Sequence, residues 1–241
     1  MSAAEFAEPE VVQLSGPPEV AEALATRLLA SLVERQTGGG VVQLALTGGR
    51  IATQAYERLA ADGPGSAVDW SRVELWWGDE RFVPAADGDR NAKQALDLLT
   101  AALPLEPDRT HPMPASDAGL GLDAAAAAYA AELGDTDFDI CLLGMGPDGH
   151  VASLFPDHPS SSTPGDVIPV RDSPKPPPER ISLTLPVINR SAEVWFVVAG
   201  ADKADAARVA RAGGPVPAGQ ARGQRRTVWL LDDAAAGTPE R

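Results

Sequence analysis

The residues best able to do chemistry lie in one stretch, Ile140-Cys141-Leu142-Leu143-Gly144-Met145-Gly146-Pro147-Asp148-Gly149-His150. It opens as a wholly apolar run, the pattern of a strand buried on both faces. Gly144, Gly146 and Gly149, with Pro147 and Asp148 between them, then force a sharp turn that lets the backbone approach a ligand. His150 follows, at what reads as the first turn of a helix. An imidazole there can act as a general base, kept neutral near physiological pH by the positive end of the helix. The alternative is a ring beside a helix N-cap, satisfied by the backbone.

Other turns carry compatible groups. Thr47-Gly48-Gly49 precedes a helical pattern and suits either a backbone cradle for phosphate or a plain strand–helix turn. Gly78-Asp79-Glu80-Arg81 ends a strand. Its guanidinium can grip a phosphate or carboxylate in bidentate fashion, and Asp79 can orient the histidine or hold a hydroxyl. Read blandly, the same three residues are a solvated charge cluster. In Gly200-Ala201-Asp202-Lys203, Lys203 is either a point charge for phosphate or a helix-surface lysine. Gly144, Gly146 and Gly149 match the spacing of a dinucleotide fingerprint, but Pro147 and His150 fit that motif poorly. No nucleoside-triphosphate loop and no nucleophile elbow is present. His111 and His158 sit in proline-rich loops and read as incidental. The histidines and lone cysteine are too scattered for a metal site.

These groups form one site only if the elements bring them to one edge. Strand patterns cover Val11–Leu14, Val41–Leu46, Val73–Trp77, the apolar run from Ile140, Ile181–Leu185, Val194–Val198 and Thr227–Leu231. Helical patterns cover Glu19–Arg35, Ile51–Ala61, Asp89–Leu99, Ala124–Leu133 and Gly200 to about Ala212. In the first helix Val20, Leu24, Leu28 and Leu32 line one face. Strands alternating with helices imply a three-layer α/β/α arrangement, its sheet mostly parallel and Rossmann-like. In such sheets ligands bind beyond the carboxyl ends of the strands, where these turns would gather. The Pro-rich segment from 157 to 179 reads as a surface loop flanking the site, within one domain spanning 1–241.

Composition narrows the partners. The chain has 241 residues and a net charge of −14, which argues against nucleic acid and anionic membranes. An anionic substrate must therefore meet a local collection of cations. Cys141 lies inside the apolar run and reads as a core residue. The acidic Met1–Glu10 lacks a leader pattern, and no apolar run approaches the ~20 residues of a membrane span. The expectation is a cytoplasmic protein; a monomer is expected, with an oligomer left open.

The Gly144–Pro156 stretch, ending Ser153-Leu154-Phe155-Pro156, and Asp79-Glu80-Arg81-Phe82-Val83-Pro84 resemble the 6-phosphogluconolactonase family. So do Ser173-Pro174-Lys175-Pro176-Pro177-Pro178-Glu179-Arg180-Ile181 and Gly200–Lys203. The resemblance implies a fold similar to that of glucosamine-6-phosphate deaminase and ribose-5-phosphate isomerase. It implies hydrolysis of 6-phospho-D-glucono-1,5-lactone without an organic cofactor. By the same resemblance His150 is the acid/base and Asp79 its helper. Arg81 and Lys203 bind substrate, and Gly48, Gly49 and Gly146 supply phosphate- or substrate-facing turns. Among Arg171, Lys175 and Arg180, Arg180 ranks first as a further ligand. Many members follow the glycine pair with Ser-Thr-Pro. Here Arg50-Ile51-Ala52 stands in its place, so a hydroxyl contact is lost that Thr47 or Arg50 must replace. The rivals are a 6-phospho-amino-sugar isomerase or deaminase, which would need a carboxylate where Ser153–Pro156 has none, and a non-catalytic sugar-phosphate sensor.

Overall fold

A computed structural model of the chain describes residues 8–237; most of the Met1–Glu10 stretch read for a leader lies outside them. In order, the regular elements are β1 (Glu10–Leu14), α1 (Pro17–Gln36), β2 (Val42–Leu46), α2 (Arg50–Asp62), β3 (Val73–Trp77), β4 (Asp79–Arg81), α3 (Asn91–Leu99), α4 (Leu122–Leu133) and β5 (Ile140–Gly144). Then come β6 (Val167–Val170), β7 (Arg180–Leu183), α5 (Leu185–Ile188), β8 (Glu193–Val198), α6 (Ala204–Arg211), α7 (Pro217–Gln220) and β9 (Arg226–Asp232). Six strands form a sheet in the order β1-β9-β8-β5-β2-β3, and every pair in it is parallel. From β2 the chain passes outward to β3, whereas β5 lies on the other side of β2. The strand order therefore reverses between β2 and β5, where a crevice opens beyond the strand ends.

Side-chain alternation builds the two cores on the faces of this sheet. In β5, Ile140 and Leu142 point to the face covered by α1, α2 and α3, with Leu24, Leu28, Tyr56 and Leu59. Cys141 and Leu143 point to the other face, where Tyr129, Phe155, Leu183 and Ala207 pack. β8 and β9 alternate likewise, and Phe196 stacks on Trp229 with ring centroids 3.8 Å apart. Double coverage explains why these strands read as unbroken apolar runs. Cys141 is fully buried, and burial pushes its thiol up to about 12, so it serves as packing.

Two features depart from the sequence reading. Asp79–Arg81 is not a turn but a strand of a second, antiparallel sheet in the order β4-β7-β6. The segment expected to be wholly loop from 157 to 179 contributes β6, with Pro169 on an edge strand where its missing N–H leaves the ladder intact. The strand expected over Ile181–Leu185 is β7, and it too belongs to the small sheet. Second, no helix begins at His150. Val151 and Leu154 instead close a tight bridge, and Ala152 has φ +49°. The amides a helix would use are taken by hydroxyls: Ser153 N–H donates to Ser182 Oγ (3.2 Å) and Phe155 N–H to Ser160 Oγ (3.2 Å). Among the described residues no helix is long and apolar enough to cross a membrane, and no His, Cys, Asp and Glu cluster is placed to hold a metal ion.

Candidate active site

A cavity of about 550 Å³ opens at the β2/β5 crevice. The turns after β2, β5 and β8 line it, together with Asp79 and Arg81 of β4, Lys175 and Arg180.

Thr47, Gly48 and Gly49 form one wall. The Tyr56 hydroxyl donates to Thr47 O (2.7 Å) and accepts from Thr47 N–H (3.1 Å), fixing the turn from beneath. Thr47 Oγ1 accepts from Gly144 N–H (3.2 Å), tying the ends of β2 and β5 together. Gly49, at φ +103°, is the N-cap of α2, and no side chain caps it. The first amides of α2 lack intrahelical acceptors and lie at the cavity wall, an anion-binding arrangement. A Cβ on Gly48 would fall 1.9 Å from Asn91 Oδ1. Gly48→Ala is therefore expected to displace Asn91 and to destabilise the protein by about 1–3 kcal/mol, read as a fall in thermal midpoint. Arg50 occupies the first turn of α2 at the cavity rim, exposed, and acts electrostatically on the Asp202 carboxylate.

His150 is mostly buried, its ring 4.7 Å from that of Phe155. Its Nδ1 lies 2.5 Å from Asp148 Oδ1. Burial disfavours the Asp148 carboxylate, but the bond from His150 and the nearby Lys175 outweigh it and hold the group below the ordinary carboxylate range. An ionised Asp148 can only accept, so Nδ1 carries the proton and Nε2 keeps a free lone pair. Burial, joined by Lys175, lowers the imidazole pKa below its ordinary value, while Asp148 and Asp79 oppose this. The expected helix dipole plays no part: the ring is held neutral by burial. A Cβ on Gly146 would sit 2.1 Å from the ring, so only glycine lets His150 lie there.

Asp79 also lines the cavity but does not hydrogen-bond His150; Asp148 is the carboxylate on the ring. Asp79 Oδ2 accepts from Ser153 Oγ (2.7 Å) and lies 3.9 Å from Arg180 Nη1. Asp79 and Glu80 point opposite ways along β4. Glu80 is fully buried and faces away, accepting from the amides of Arg81 (2.8 Å), Asn91 (2.7 Å) and Ala92 (2.8 Å). It thereby caps α3 from another element. Arg81 Nη1 donates to Asp89 O (2.9 Å) and Asn91 Oδ1, and its buried Nε–H has no partner among the described residues. Unpartnered buried donors are rare, and a bound anion satisfies one.

Of the three basic residues ranked for the proline loop, Arg171 pairs with Asp123 and does not line the cavity. Arg180 lines it, but its Nε donates to Pro177 O (3.2 Å) and its Nη2 to Lys175 O and Pro176 O (3.0 Å each). Lys175 projects its Nζ to 3.3 Å from His150 Nδ1 and 3.8 Å from Asp148 Oδ1. Across the cavity Lys203 Nζ donates to Asp202 (3.0 and 3.1 Å), and the Gly200 amide is anchored by Asp232.

Sequence reasoning passed over Asp148, read only as a turn former, although an acid two residues before the histidine was a usable signal. It also passed over Asn91, whose link to Asp79 and Arg81 is purely tertiary. His111 lies between Glu74 and Glu132 and stacks on Trp76 at 3.9 Å, and His158 bonds Ser160 and Arg171 O. Neither lines the cavity.

Residues 15–229 match the family model described as glucosamine-6-phosphate isomerases/6-phosphogluconolactonase. A 6-phosphogluconolactonase of Streptomyces coelicolor is 48% identical over 244 residues, covering 95% of this chain and 94% of its own. Among solved structures, a 6-phosphogluconolactonase of Thermotoga maritima superposes with a TM-score of 0.81 at 27% identity, over 93% of this chain and 99% of the other. A monomeric glucosamine-6-phosphate deaminase shares the fold, with a TM-score of 0.76 at 20% identity over 95% and 100% of the two chains.

Proposed function

The chain belongs to the glucosamine-6-phosphate isomerase/6-phosphogluconolactonase family, and from that premise we propose that it hydrolyses 6-phospho-D-glucono-1,5-lactone to 6-phospho-D-gluconate, the lactone step of the oxidative pentose phosphate pathway. The observation that carries this reading is a single cavity with a neutral imidazole on one wall and cations with free helix amides on the others. Water attacks the lactone carbonyl C1 while His150 Nε2 takes one of its protons. As the tetrahedral intermediate collapses, the C1–O5 bond breaks and the imidazolium returns that proton to O5. Asp148 keeps the ring in the required tautomer through Nδ1. Arg81, Lys203 and the turns at Gly48, Gly49 and Gly146 hold substrate, with the phosphate set by Arg81, Lys203, the α2 amides and Arg50. Asp79 orders this wall through Ser153 and Arg180. Holding the reactants in this way can be worth several kcal/mol of barrier, about 7–11 where alignment is best.

We read the whole chain, 1–241, as one cytoplasmic domain acting as a monomer on a small sugar phosphate, without an organic cofactor and without nucleic-acid or membrane partners. The amino-sugar alternative has no support at Ser153–Phe155, which is buried and offers no carboxylate.

Two measurements test this reading. A coupled lactone-disappearance assay should show turnover well above spontaneous opening, with no ammonia released from glucosamine 6-phosphate; ammonia without lactone loss would overturn it. Because protonation disables the base, kcat/KM should fall as pH drops. The lowered imidazole pKa puts that acid limb below the ordinary value of 6.5, so neutral pH should lie on the plateau.

A further inference from the structure

We propose that Arg180 is a positioning residue rather than a substrate ligand: it staples the 173–179 loop so that Lys175 stands against the His150–Asp148 pair, and Lys175 sets the pH range in which His150 works. This deepens the lactonase reading and rests on it.

The geometry carries the proposal. Arg180 begins β7, rigidly paired with β4 and β6, and its side chain is almost wholly buried. Its Nη1 faces Asp79 at 3.9 Å, while its Nε and Nη2 donate to three consecutive carbonyls, those of Lys175, Pro176 and Pro177. Its planar donors suit that task, whereas a lysine carries a single nitrogen. The loop adds bonds of its own: Ser173 Oγ donates to Lys175 O (2.9 Å) and accepts from Lys175 N–H (3.3 Å), and Ser173 N–H donates to Pro178 O (3.0 Å). Four prolines in this short stretch leave few amides for regular pairing, so an external donor must fix its path.

The fixed loop delivers one charge. Lys175 Nζ lies 3.3 Å from the imidazole Nδ1 and 3.8 Å from the carboxylate on that nitrogen. A cation at that distance opposes a second positive charge on the ring. The groups that face His150 are Asp148 from its own loop, Asp79 from β4 and Lys175 from this loop. Lys175 itself feels Asp148, Lys203, Arg180 and Asp202. Of the charges on the ring, Lys175 is the one that favours its neutral, working form; the two carboxylates favour the charged form.

The test uses the full-length protein with Lys175→Met, Arg180→Lys and the double variant, and Lys175→Arg as the conservative control. NMR titration of the His150 ring, assigned by its loss in His150→Gln, reads the charge effect without requiring turnover. The pH profile of kcat/KM on the lactone reads its consequence. Lys175→Met should move the His150 midpoint to higher pH and lower kcat/KM roughly tenfold at pH 6, but less than about threefold at pH 8. Arg180→Lys keeps its charge yet should shift the midpoint in the same direction, and the double variant should add nothing to Lys175→Met. Lys175→Arg should restore the midpoint.

An unmoved midpoint in Lys175→Met overturns the proposal. So does an Arg180→Lys variant that only raises KM with the midpoint unchanged, because Arg180 would then be a direct ligand. If Arg180→Lys fails to fold, the shift in Lys175→Met and its restoration by Lys175→Arg still decide the Lys175 half. Serine variants of Pro176 and Pro177, which loosen the loop while leaving the Arg180 side chain in place, then replace it and must shift the midpoint upward. Absence of lactone turnover in the wild type refutes the functional reading, while the titration still decides what Lys175 does to the ring.

Discussion

Replacing His150 with glutamine should lower kcat by about 10²–10⁴-fold, the range a positioned general base supplies, while KM changes little. The carboxamide retains a donor toward Asp148 but has no basic nitrogen where Nε2 stood. Substrate binding should survive because the cations assigned to the phosphate, Arg81 and Lys203, touch neither His150 nor Asp148. The ring also packs beside Phe155, and a side chain of similar reach keeps most of that contact. Steady-state kinetics above the spontaneous background, with circular dichroism confirming the fold, reads this directly. A fall in affinity with kcat preserved would make His150 a substrate ligand and leave the reaction without its base.

The second large effect concerns stability. Glu80→Ala should cost about 3–5 kcal/mol, the usual result of removing one partner from a buried ionic network. The carboxylate accepts three amides, from Arg81, Asn91 and Ala92, and lies 3.7 Å from Arg90 Nη2. Arg90 is 4% exposed, so its charge would stay buried with only the carbonyls of Met113 and Val83 for company. In a chain this long that loss corresponds to a fall in thermal midpoint on the order of 10 °C. The damage should reach the cavity, because the same carboxylate sets the position of Asn91, which holds Arg81. Glu80→Gln, which keeps an acceptor oxygen, should be milder in both respects. Calorimetry beside lactone kinetics checks the pair; an Ala variant as stable as wild type would show that the network contributes nothing.

What could be read in advance followed the range of the interactions involved. The six parallel strands and the helices that cover them were legible because unbroken apolar runs and 3.6-residue spacing are local signals, as in Ile140–Leu143 and Val20–Leu32. The small sheet was not. Its strands are short and only β7 reads as one in the sequence: β4 is the charged Asp79-Glu80-Arg81, whose pairing with β7 spans about 100 residues, and β6 carries Pro169. Val151–Phe155 has helical composition, but tertiary hydroxyls from Ser160 and Ser182 capture its amides. The gathering of His150, Arg81, Lys203 and the glycine turns was foreseeable from the rule that ligands sit beyond parallel strand ends. The division of labour among the acids was not, because Asp79, Glu80 and Asp148 differ only in which way each is turned.

The most direct test compares two lactones that differ only in the phosphate: 6-phospho-D-glucono-1,5-lactone and D-glucono-1,5-lactone, each followed by disappearance above its spontaneous rate. Two or three charge-assisted contacts of about 1.5–3 kcal/mol each predict a kcat/KM advantage of roughly 10²–10⁶-fold for the phosphorylated substrate. That advantage should shrink in Arg81→Met and Lys203→Met while the slow turnover of the plain lactone persists. Equal kcat/KM for the two lactones in the wild-type protein would contradict the account.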